Sequence, residues 1–254
     1  MTATYRTTGI NLKAMPLGES DRLVTILTRD HGLIRVVAPG ARKHKSGMAG
    51  RSGLFVVNDL LIAKGRSLDR ITQAEIRQSF VGLGQNLAKL TAAQYLAELA
   101  LLQAIAHQPQ PELYLLLTEH LARLQVAQGT ASILAHLNHG IYHLLAAAGI
   151  APQVYHCCIS RQVVTPEAHT KIPFSILAGG LVLVATDLPI KHQLQPRELQ
   201  GLQQLVKGEL INEQIHDLGV KVWLTIEKVL RAYAQYHLEK PIESATLIDD
   251  CFNL

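Results

Sequence analysis

A chain of 254 residues that is 48% hydrophobic and 17% charged can bury a core, which excludes a disordered or low-complexity protein. Three cysteines are too few for a disulfide framework, and charged side chains interrupt residues 1–30, so we expect a cytoplasmic protein without a signal peptide. Residues 1–80 hold 13 of the 24 Lys and Arg but 6 of the 20 acidic residues, a net +7, whereas residues 81–254 carry −3. A basic domain of this kind usually faces a polyanion, most often nucleic acid.

Short β-branched runs punctuated by glycine fill residues 1–80 and predict five strands. The runs are residues 4–17, 22–28, 33–38, 54–63 and 71–80. Five antiparallel strands in so short a domain suit a small closed barrel. The pattern alone fits an OB-fold and an SH3-like barrel equally well.

A basic loop, residues 40–46, lies between the third and fourth predicted strands and reads Gly-Ala-Arg-Lys-His-Lys-Ser. Arg42, Lys43 and Lys45 have no acidic neighbour there, and a glycine-rich stretch follows, so a flexible loop rather than a helix face carries the charges. We predict that these residues contact phosphate groups; a merely solubilising loop is the alternative. Six further cations near strand ends could extend the same track: Arg22, Arg35, Arg51, Lys64, Arg66 and Arg70.

Aromatic side chains on which bases could stack are scarce in the predicted barrel. It offers Tyr5, Phe55 and Phe80, and the two phenylalanines are expected in the core. Binding should therefore depend on backbone charge, with weak sequence preference and tolerance of both single and double strands.

After Gly82 and Gly84 the apolar period becomes helical, which places a boundary between a basic domain, residues 1–81, and a helical domain, residues 82–254. Helices are predicted over 87–107, 113–126, 131–148, 196–211 and 219–238. Residues 151–190 are irregular or β-like, with a hairpin turn at Gly179-Gly180. The last dozen residues, with Asp249 and Asp250, are predicted to be a tail. Residues 124–160 lack charge, but histidines and a proline interrupt them too often for a membrane span.

Three histidines, His136, His139 and His143, share one predicted helix at spacings that permit a metal. The buried stripe of that helix falls on its leucines and isoleucines, so a partly exposed polar face is favoured over a metal site. Catalytic motifs are absent from the sequence, and Cys158 beside His156 is not a triad. We therefore expect no covalent chemistry.

Several of these stretches resemble the RecO family of bacterial recombination mediators. The similar segments are Gly18-Glu19, residues 23–28, Gly32, residues 38–46, residues 236–238 and residues 240–244. The resemblance implies an α+β multidomain protein, in which an N-terminal five-stranded OB-fold-like barrel precedes an all-α C-terminal domain.

That resemblance also implies a function. A RecO-like protein would bind single- and double-stranded DNA, anneal complementary strands and remodel single-strand-binding protein. With RecR it would help load the recombinase RecA, so it would be cytoplasmic and nucleoid-associated, with no cofactor and no membrane partner. Two rivals remain: an adaptor whose basic domain binds an acidic protein tail, and a metal-dependent hydrolase using the histidines.

Many RecO proteins carry a zinc site built from two Cys-x-x-Cys pairs around a hairpin, and this chain departs from that pattern. The corresponding positions are Cys157, Ser160, Leu183 and Thr186, so one thiolate of four remains. A structural zinc ion needs four nitrogen or sulfur ligands. We therefore predict a degenerate, zinc-free segment over residues 151–190. Apolar packing would replace the metal there, by Ile176, Leu181, Leu183 and Val184.

Overall fold

The computed structural model of the chain describes residues 3–168 and 170–252. Five strands lie in the N-terminal part of these residues, and their limits confirm the predicted ones to within two positions. These strands are β1 (Thr4–Leu17), β2 (Asp21–Thr28), β3 (Gly32–Ala38), β4 (Val56–Ala63) and β5 (Asp69–Ser79).

The five strands close into a barrel in the order β1-β2-β3-β5-β4. Neighbours are antiparallel except β3 and β5, which run parallel over two residue pairs. β1 is long enough to pair first with β4 and then with β2, and its register with β2 shifts between Asn11 and Lys13. Such an irregularity bends a strand locally, as closure of a small barrel requires.

Alternation along each strand decides which side chains fill the barrel. In β3, Ile34 and Val36 are buried while Arg35 between them is exposed. Burial of each such aliphatic side chain contributes about 1.5 to 3 kcal/mol. The interior cluster consists of Val24, Ile26, Ile34, Val36, Ala38, Ala41, Leu60, Ile62 and Ile71.

A short helix, α1 (Gly47–Arg51), follows the basic loop. The charged residues lie in turns, as predicted, but the glycine-rich stretch after them is helical rather than a loop. The hydroxyl of Ser46 caps this helix by accepting a backbone hydrogen bond, which offsets the low helix propensity of glycine. The amides of Asn11 and Asn58 donate to the carbonyl of Arg51 at 2.8 and 2.9 Å, so α1 is tied to the barrel strands.

Within the described residues, six further helices follow a 3-10 turn at Val81–Gln85. They are α2 (Leu87–Gln103), α3 (Pro111–Val126), α4 (Gly129–Ala147), α5 (Pro196–Gln204), α6 (Asn212–Leu238) and α7 (Thr246–Phe252). In residues 3–168 and 170–252, no helix combines the length and apolar character that a membrane crossing needs.

Three helix limits differ from the prediction. α2 ends at Gln103 instead of continuing to residue 107, because the next residues bond to β3: Leu33 N–H donates to Ile105 O and His107 N–H to Leu33 O. α5 stops at Gln204, seven residues early. α6 begins seven residues before the predicted start, but that start coincides with Gly219, whose non-helical φ of 77° and ψ of 171° kink α6. Glycine readily adopts such a positive φ, and the helical piece after the kink is the one that was predicted.

The described chain divides into two compact units. The first comprises residues 1–85 and 100–122, and the second residues 86–99 and 123–254. Strands give way to helices near the predicted boundary at residue 82, but the division between units falls within α2 and α3. In the second unit Trp223 is fully buried, and its indole N–H donates to the carbonyl of Ile215 at 3.1 Å.

The segment between α4 and α5 contains a small sheet of β6 (Ile172–Ser175), β7 (Gly180–Leu181) and β8 (His192–Leu194), in the order β7-β6-β8. Phe174 packs edge-on against Tyr233 of α6 at 6.0 Å between ring centroids. The apolar residues expected to replace zinc contribute unequally, because Leu181 is buried whereas Val184 is 37% exposed. The fully buried apolar side chains of the sheet are Leu181 together with Ile172, Phe174 and Leu194.

Residues 243–252 are folded rather than a tail, so that prediction was wrong for the described part of the C-terminal segment. A turn at Glu243–Ala245 leads into α7, and both are folded onto the second unit. Apolar residues at helical spacing hold the segment in place: Ile242, Ala245, Ile248 and Phe252 are all buried. The carboxylate of Glu98 accepts hydrogen bonds from the backbone N–H groups of Glu243 and Ser244, at 2.9 and 2.8 Å.

Candidate nucleic-acid interface

The basic loop, residues 40–46, is exposed but anchored. Arg42, Lys43 and Lys45 are exposed, as a phosphate contact requires. The backbone N–H of Arg42 donates to Ser20 O at 2.8 Å, and its guanidinium donates to Gly18 O at 2.7 Å. Both acceptors lie in the β1–β2 turn. The loop is therefore held against that turn, and its lysines take no part in these anchoring bonds.

Asp21 ties the loop to the barrel and brings two cations together. Its Oδ1 accepts the backbone N–H of Gly40 at 2.8 Å. This bond, a second one from the hydroxyl of Ser20, and the nearby charges of Arg70 and Lys43 lower the pKa of the Asp21 carboxyl below its ordinary value. Arg70 of β5 and Lys43 of the loop therefore act on the same carboxylate, although they are far apart in the sequence.

Strand register adds Arg35 to this group. Val37 of β3 pairs with Arg70 of β5, so their side chains share the outer face, on which Arg35 also lies two residues away along β3. Diagonal neighbours on one sheet face are about 7 to 8 Å apart, close enough for two side chains to contact one DNA backbone. Arg35 and Arg70 are both exposed.

The β4–β5 turn carries Lys64 and Arg66, both exposed. Asp69 closes this turn by accepting the backbone N–H of Gly65 at 3.1 Å. Gly65 suits the turn, since a Cβ there would lie 1.9 Å from the carbonyl oxygen of Leu68. We define the basic surface as the seven cations of these elements: Arg35, Arg42, Lys43, Lys45, Lys64, Arg66 and Arg70.

The structure gives Arg22 and Arg51 other surroundings. Arg22 pairs with the inward-facing Ala38, and its guanidinium donates to Ala49 O and Ser52 Oγ at 3.2 and 3.1 Å. Both bonds are made by Nη1 of Arg22. Arg51 lines an open groove of about 770 Å³ that also contains carboxylates, among them Asp59. Their contact with DNA stays a prediction, and the basic surface is defined without them.

Aromatic rings are placed largely as predicted. Phe55 and Phe80 are each 3% exposed and belong to the core, whereas Tyr5 is half-buried. Sequence reasoning missed two rings beside Tyr5: His31 lies 4.7 Å from it between ring centroids, and His107 lines the same cleft. No periodic pattern connects these residues, and only the folded barrel shows them together.

The four positions that correspond to the family's zinc ligands do not fit a metal. Leu183 has no donor atom, and Sγ of Cys157 already accepts the backbone N–H groups of Ser160 and Leu183, at 3.4 and 3.2 Å. The backbone thus surrounds the remaining sulfur with N–H donors. Hydrogen bonds and apolar packing hold this segment, and we derive no metal chemistry from it.

One of the three histidines of α4 is more buried than the sequence suggested. His136 and His143 are partly exposed, as expected for a polar face, but His139 is fully buried, which corrects the expectation there. Its Nδ1 lies 3.2 Å from the Arg123 guanidinium and its Nε2 2.8 Å from Lys207 O. Because arginine only donates, Nδ1 accepts and Nε2 carries the proton. His139 therefore has a structural role in which both ring nitrogens are occupied.

Burial lowers the pKa of His139 to about 3, and the charges of His143 and Arg123 add to this effect against the hydrogen bond to Lys207. In the unfolded chain this histidine has the ordinary pKa of 6.5. The contribution of His139 to the unfolding free energy is therefore fully present above pH 6.5 and decreases as the pH drops toward 3. Between pH 7 and pH 5 we expect His139 to remove about 2 kcal/mol from the unfolding free energy.

The variant His139→Gln tests this expectation, because glutamine can still accept and donate but does not titrate. Urea unfolding followed by the fluorescence of Trp223, the single tryptophan, should show a smaller loss of stability between pH 7 and pH 5 in the variant. Equal losses of unfolding free energy in the parent protein and the variant would contradict the assignment of this pH dependence to His139.

Comparison with known proteins agrees with this architecture. The family model described as "Recombination protein O N terminal" matches residues 1–80, and that described as "Recombination protein O C terminal" matches residues 84–246. Together the two cover most of the chain. The limits of the first coincide with the strands of the barrel.

Curated relatives named "DNA repair protein RecO" align along almost the full chain. The protein from Nostoc sp. (strain PCC 7120 / SAG 25.82 / UTEX 2576) is 46% identical over 99% of this chain and 97% of its own length. That from Trichodesmium erythraeum (strain IMS101) is 48% identical over 98% and 95%. That from Synechococcus sp. (strain JA-3-3Ab) is 47% identical over 99% and 86%. The resemblance noted in the sequence is thereby confirmed, and the chain belongs to the RecO family.

Proposed function

We propose that this protein is a non-catalytic DNA repair and recombination mediator. It binds single- and double-stranded DNA through the barrel and anneals complementary strands. With RecR it helps load RecA onto DNA coated with single-strand-binding protein, at the nucleoid. The repair role is supported by the names of the relatives, and the partners are proposed on the resemblance to the family.

The anchoring of the exposed basic loop to the barrel is the observation that carries the proposed DNA contact. Gly40 is bonded to Asp21 and Arg42 to Gly18 O, and β3, which leads into the loop, pairs with β5 at Arg70. The cations of the loop and of these two strands therefore lie on neighbouring elements, where they can follow a phosphate backbone, each neutralised phosphate releasing counterions.

We further propose that the barrel is an OB-fold. The strand order β1-β2-β3-β5-β4 supports this, as does the parallel pairing of β3 with β5. OB-folds bind oligonucleotides across strands 2 and 3 and through the β1–β2 and β4–β5 loops. Here the basic loop is bonded to the β1–β2 turn, and Lys64 and Arg66 occupy the β4–β5 turn.

Annealing follows from charge screening. Two complementary strands repel each other through their phosphates, and a basic surface that holds both lowers the repulsion. Contacts to phosphate carry no sequence information, so strands of any sequence would be brought together.

Fluorescence anisotropy of a labelled single-stranded oligonucleotide against salt tests the proposal. Replacing Arg42, Lys43 and Lys45 with alanine should weaken binding and flatten the slope of log K against log salt by about 2, at about 0.7 per phosphate contact. The matched control replaces Lys221, Lys228 and Lys240, three exposed lysines of the second unit, with alanine.

The control has the same net charge as the loop variant, so an effect confined to the loop variant supports a contact at residues 42–45. Equal slopes in the two variants would reject the loop as the contact. If the parent chain binds no oligonucleotide but binds an acidic peptide, the adaptor function replaces the one proposed.

A further inference from the structure

An open cleft of about 540 Å³ lies in the first unit beside the β4–β5 turn, within the range of small-ligand sites. Its lining residues come from β1, the β2–β3 turn, the β4–β5 turn, the start of β5 and the segment that follows α2. They are Tyr5, His31, Lys64, Gly65, Asp69 and His107. Three of the six carry rings, the phenol of Tyr5 and the imidazoles of His31 and His107.

The Tyr5 ring is fixed by its neighbours: it packs on the barrel core, and its hydroxyl donates to Oδ2 of Asp69 at 2.8 Å. The ring of His31 lies against it, tilted by 59° with centroids 4.7 Å apart. The backbone N–H of His31 donates to the hydroxyl of Thr28 at 3.1 Å, and that of His107 to Leu33 O at 3.2 Å, so the backbone fixes where both histidines start. Tyr5 and His31 thus present a pair of contacting rings at the cleft.

The two charged residues of the cleft, Asp69 and Lys64, differ in how far their charge is free to interact with a ligand. Asp69 accepts hydrogen bonds from Tyr5 and Gly65 on its two oxygens, so its charge is engaged by the protein. Burial and this hydrogen bond raise the pKa of Tyr5, which keeps its hydroxyl protonated. Lys64 is exposed, with its Nζ 6.0 Å from the Tyr5 ring centroid. An anion would therefore be drawn to the rim at Lys64 and excluded from the floor at Asp69.

We propose that this cleft binds one unpaired base of a DNA strand, stacked against the rings of Tyr5 and His31 while its phosphate lies at Lys64. The proposal rests on the DNA-binding function proposed above and adds a base contact to a backbone contact. Lys64 belongs both to the cleft and to the basic surface, so a strand on that surface passes the cleft. A paired base cannot leave its stack without cost, and the cleft therefore favours single strands over duplex.

The test separates the base from the backbone. Anisotropy compares a fifteen-residue oligothymidylate with an oligomer of the same length in which every nucleotide is abasic. The two have the same phosphates, so the basic surface binds both. One stacked base should make the parent protein bind the thymidine oligomer between about fivefold and 150-fold more tightly.

Two cleft variants locate this preference. The double variant His31→Ala/His107→Ala keeps Tyr5, which packs on the barrel core, so the protein should still fold. Its ratio of affinities for the thymidine oligomer and the abasic oligomer should fall toward one. Tyr5→Leu should do the same. Binding of the abasic oligomer should not change in either variant. Replacing Arg42, Lys43 and Lys45 with alanine should weaken the binding of both oligomers and leave the ratio of the two affinities unchanged.

The outcomes distinguish this proposal from the one on which it rests. A parent protein that binds both oligomers equally, or a preference that survives in both cleft variants, would overturn the base site while the backbone contact stands. Failure to bind the abasic oligomer at low salt would instead reject the backbone contact. Displacement of the thymidine oligomer by micromolar thymidine monophosphate would show a site for free nucleotides and overturn the strand assignment.

Discussion

Replacing Arg231 with methionine is expected to lower the unfolding free energy of the second unit by about 3 to 5 kcal/mol. The Arg231 guanidinium donates to both oxygens of Glu227, at 2.9 and 2.6 Å. It also bonds to both oxygens of Asp249 on α7, at 2.7 and 3.2 Å. The Glu227 side chain is 0% exposed, so the variant leaves a carboxylate inside the protein without its cation.

The pKa shifts of Glu227 and Asp249 agree with their hydrogen bonds to Arg231. Burial raises the pKa of Glu227 and opposes its ionisation, while Arg231 supplies the hydrogen bonds and charge that favour the carboxylate. The pKa of Asp249 is lowered, chiefly by its hydrogen bond from Arg231. Arg231 therefore stabilises two carboxylates at once, and its loss affects both.

A double variant distinguishes a buried charge from lost packing. Glu227→Leu combined with Arg231→Met removes both charges, and it should be more stable than Arg231→Met alone. Asp249→Asn should cost about 1 kcal/mol, because a pair with a partly exposed carboxylate is screened by water. Urea unfolding monitored at Trp223 measures all three. A loss below about 1 kcal/mol in Arg231→Met would contradict the assigned role.

The barrel was predictable because strand alternation is a local signal. Ile34, Val36 and Ala38 recur at every second position of β3, and this spacing alone separates an inner from an outer face. The exposed charges of residues 42–45 were predictable for the same reason, since adjacent cations without acidic neighbours have no partner nearby in sequence.

Residues whose environment depends on distant segments could not be read from the sequence. Arg22 looks like Arg35 in the sequence, but its register with Ala38 turns it inward to the backbone of α1. Asp249 looked like a tail charge because its partner, Arg231, is on α6 and 18 residues away. In both cases tertiary contacts, rather than local propensity, decide the role of the charge.

The cleft was hidden for a related reason. His31 and His107 are distant in the sequence, and they line one cleft because the segment after α2 leaves the helix to bond with β3. The apolar period of α2 continues to residue 107 and predicts helix there. Backbone hydrogen bonds to Leu33 prevail over that local pattern.

Gly32→Ala is expected to disrupt this junction. Gly32 has a φ of +62°, and a Cβ at this position would lie 2.0 Å from the carbonyl oxygen of Gln108 and 2.7 Å from that of Ile105. Neither obstacle is a flexible side chain, so the segment after α2 would have to move. Left-handed strain of about 1 to 2 kcal/mol and overpacking of about 1 to 3 kcal/mol together predict a loss of about 2 to 5 kcal/mol.

Gly18→Ala provides a matched control, because Gly18 has a φ of +59° and no atom lies within 4 Å of the position that an added methyl group would take. It should show the backbone strain alone, about 1 to 2 kcal/mol. Hydrogen exchange of barrel amides measures both variants, and the N–H groups of Leu33 and His107, which join the two segments, should lose protection in Gly32→Ala only. Equal losses in the two variants would mean that conformational strain, and not the contact with residues 105–108, accounts for glycine at position 32.

Loss of the junction would also displace His107, so Gly32→Ala should reduce the preference for the thymidine oligomer over the abasic one while Gly18→Ala leaves it intact.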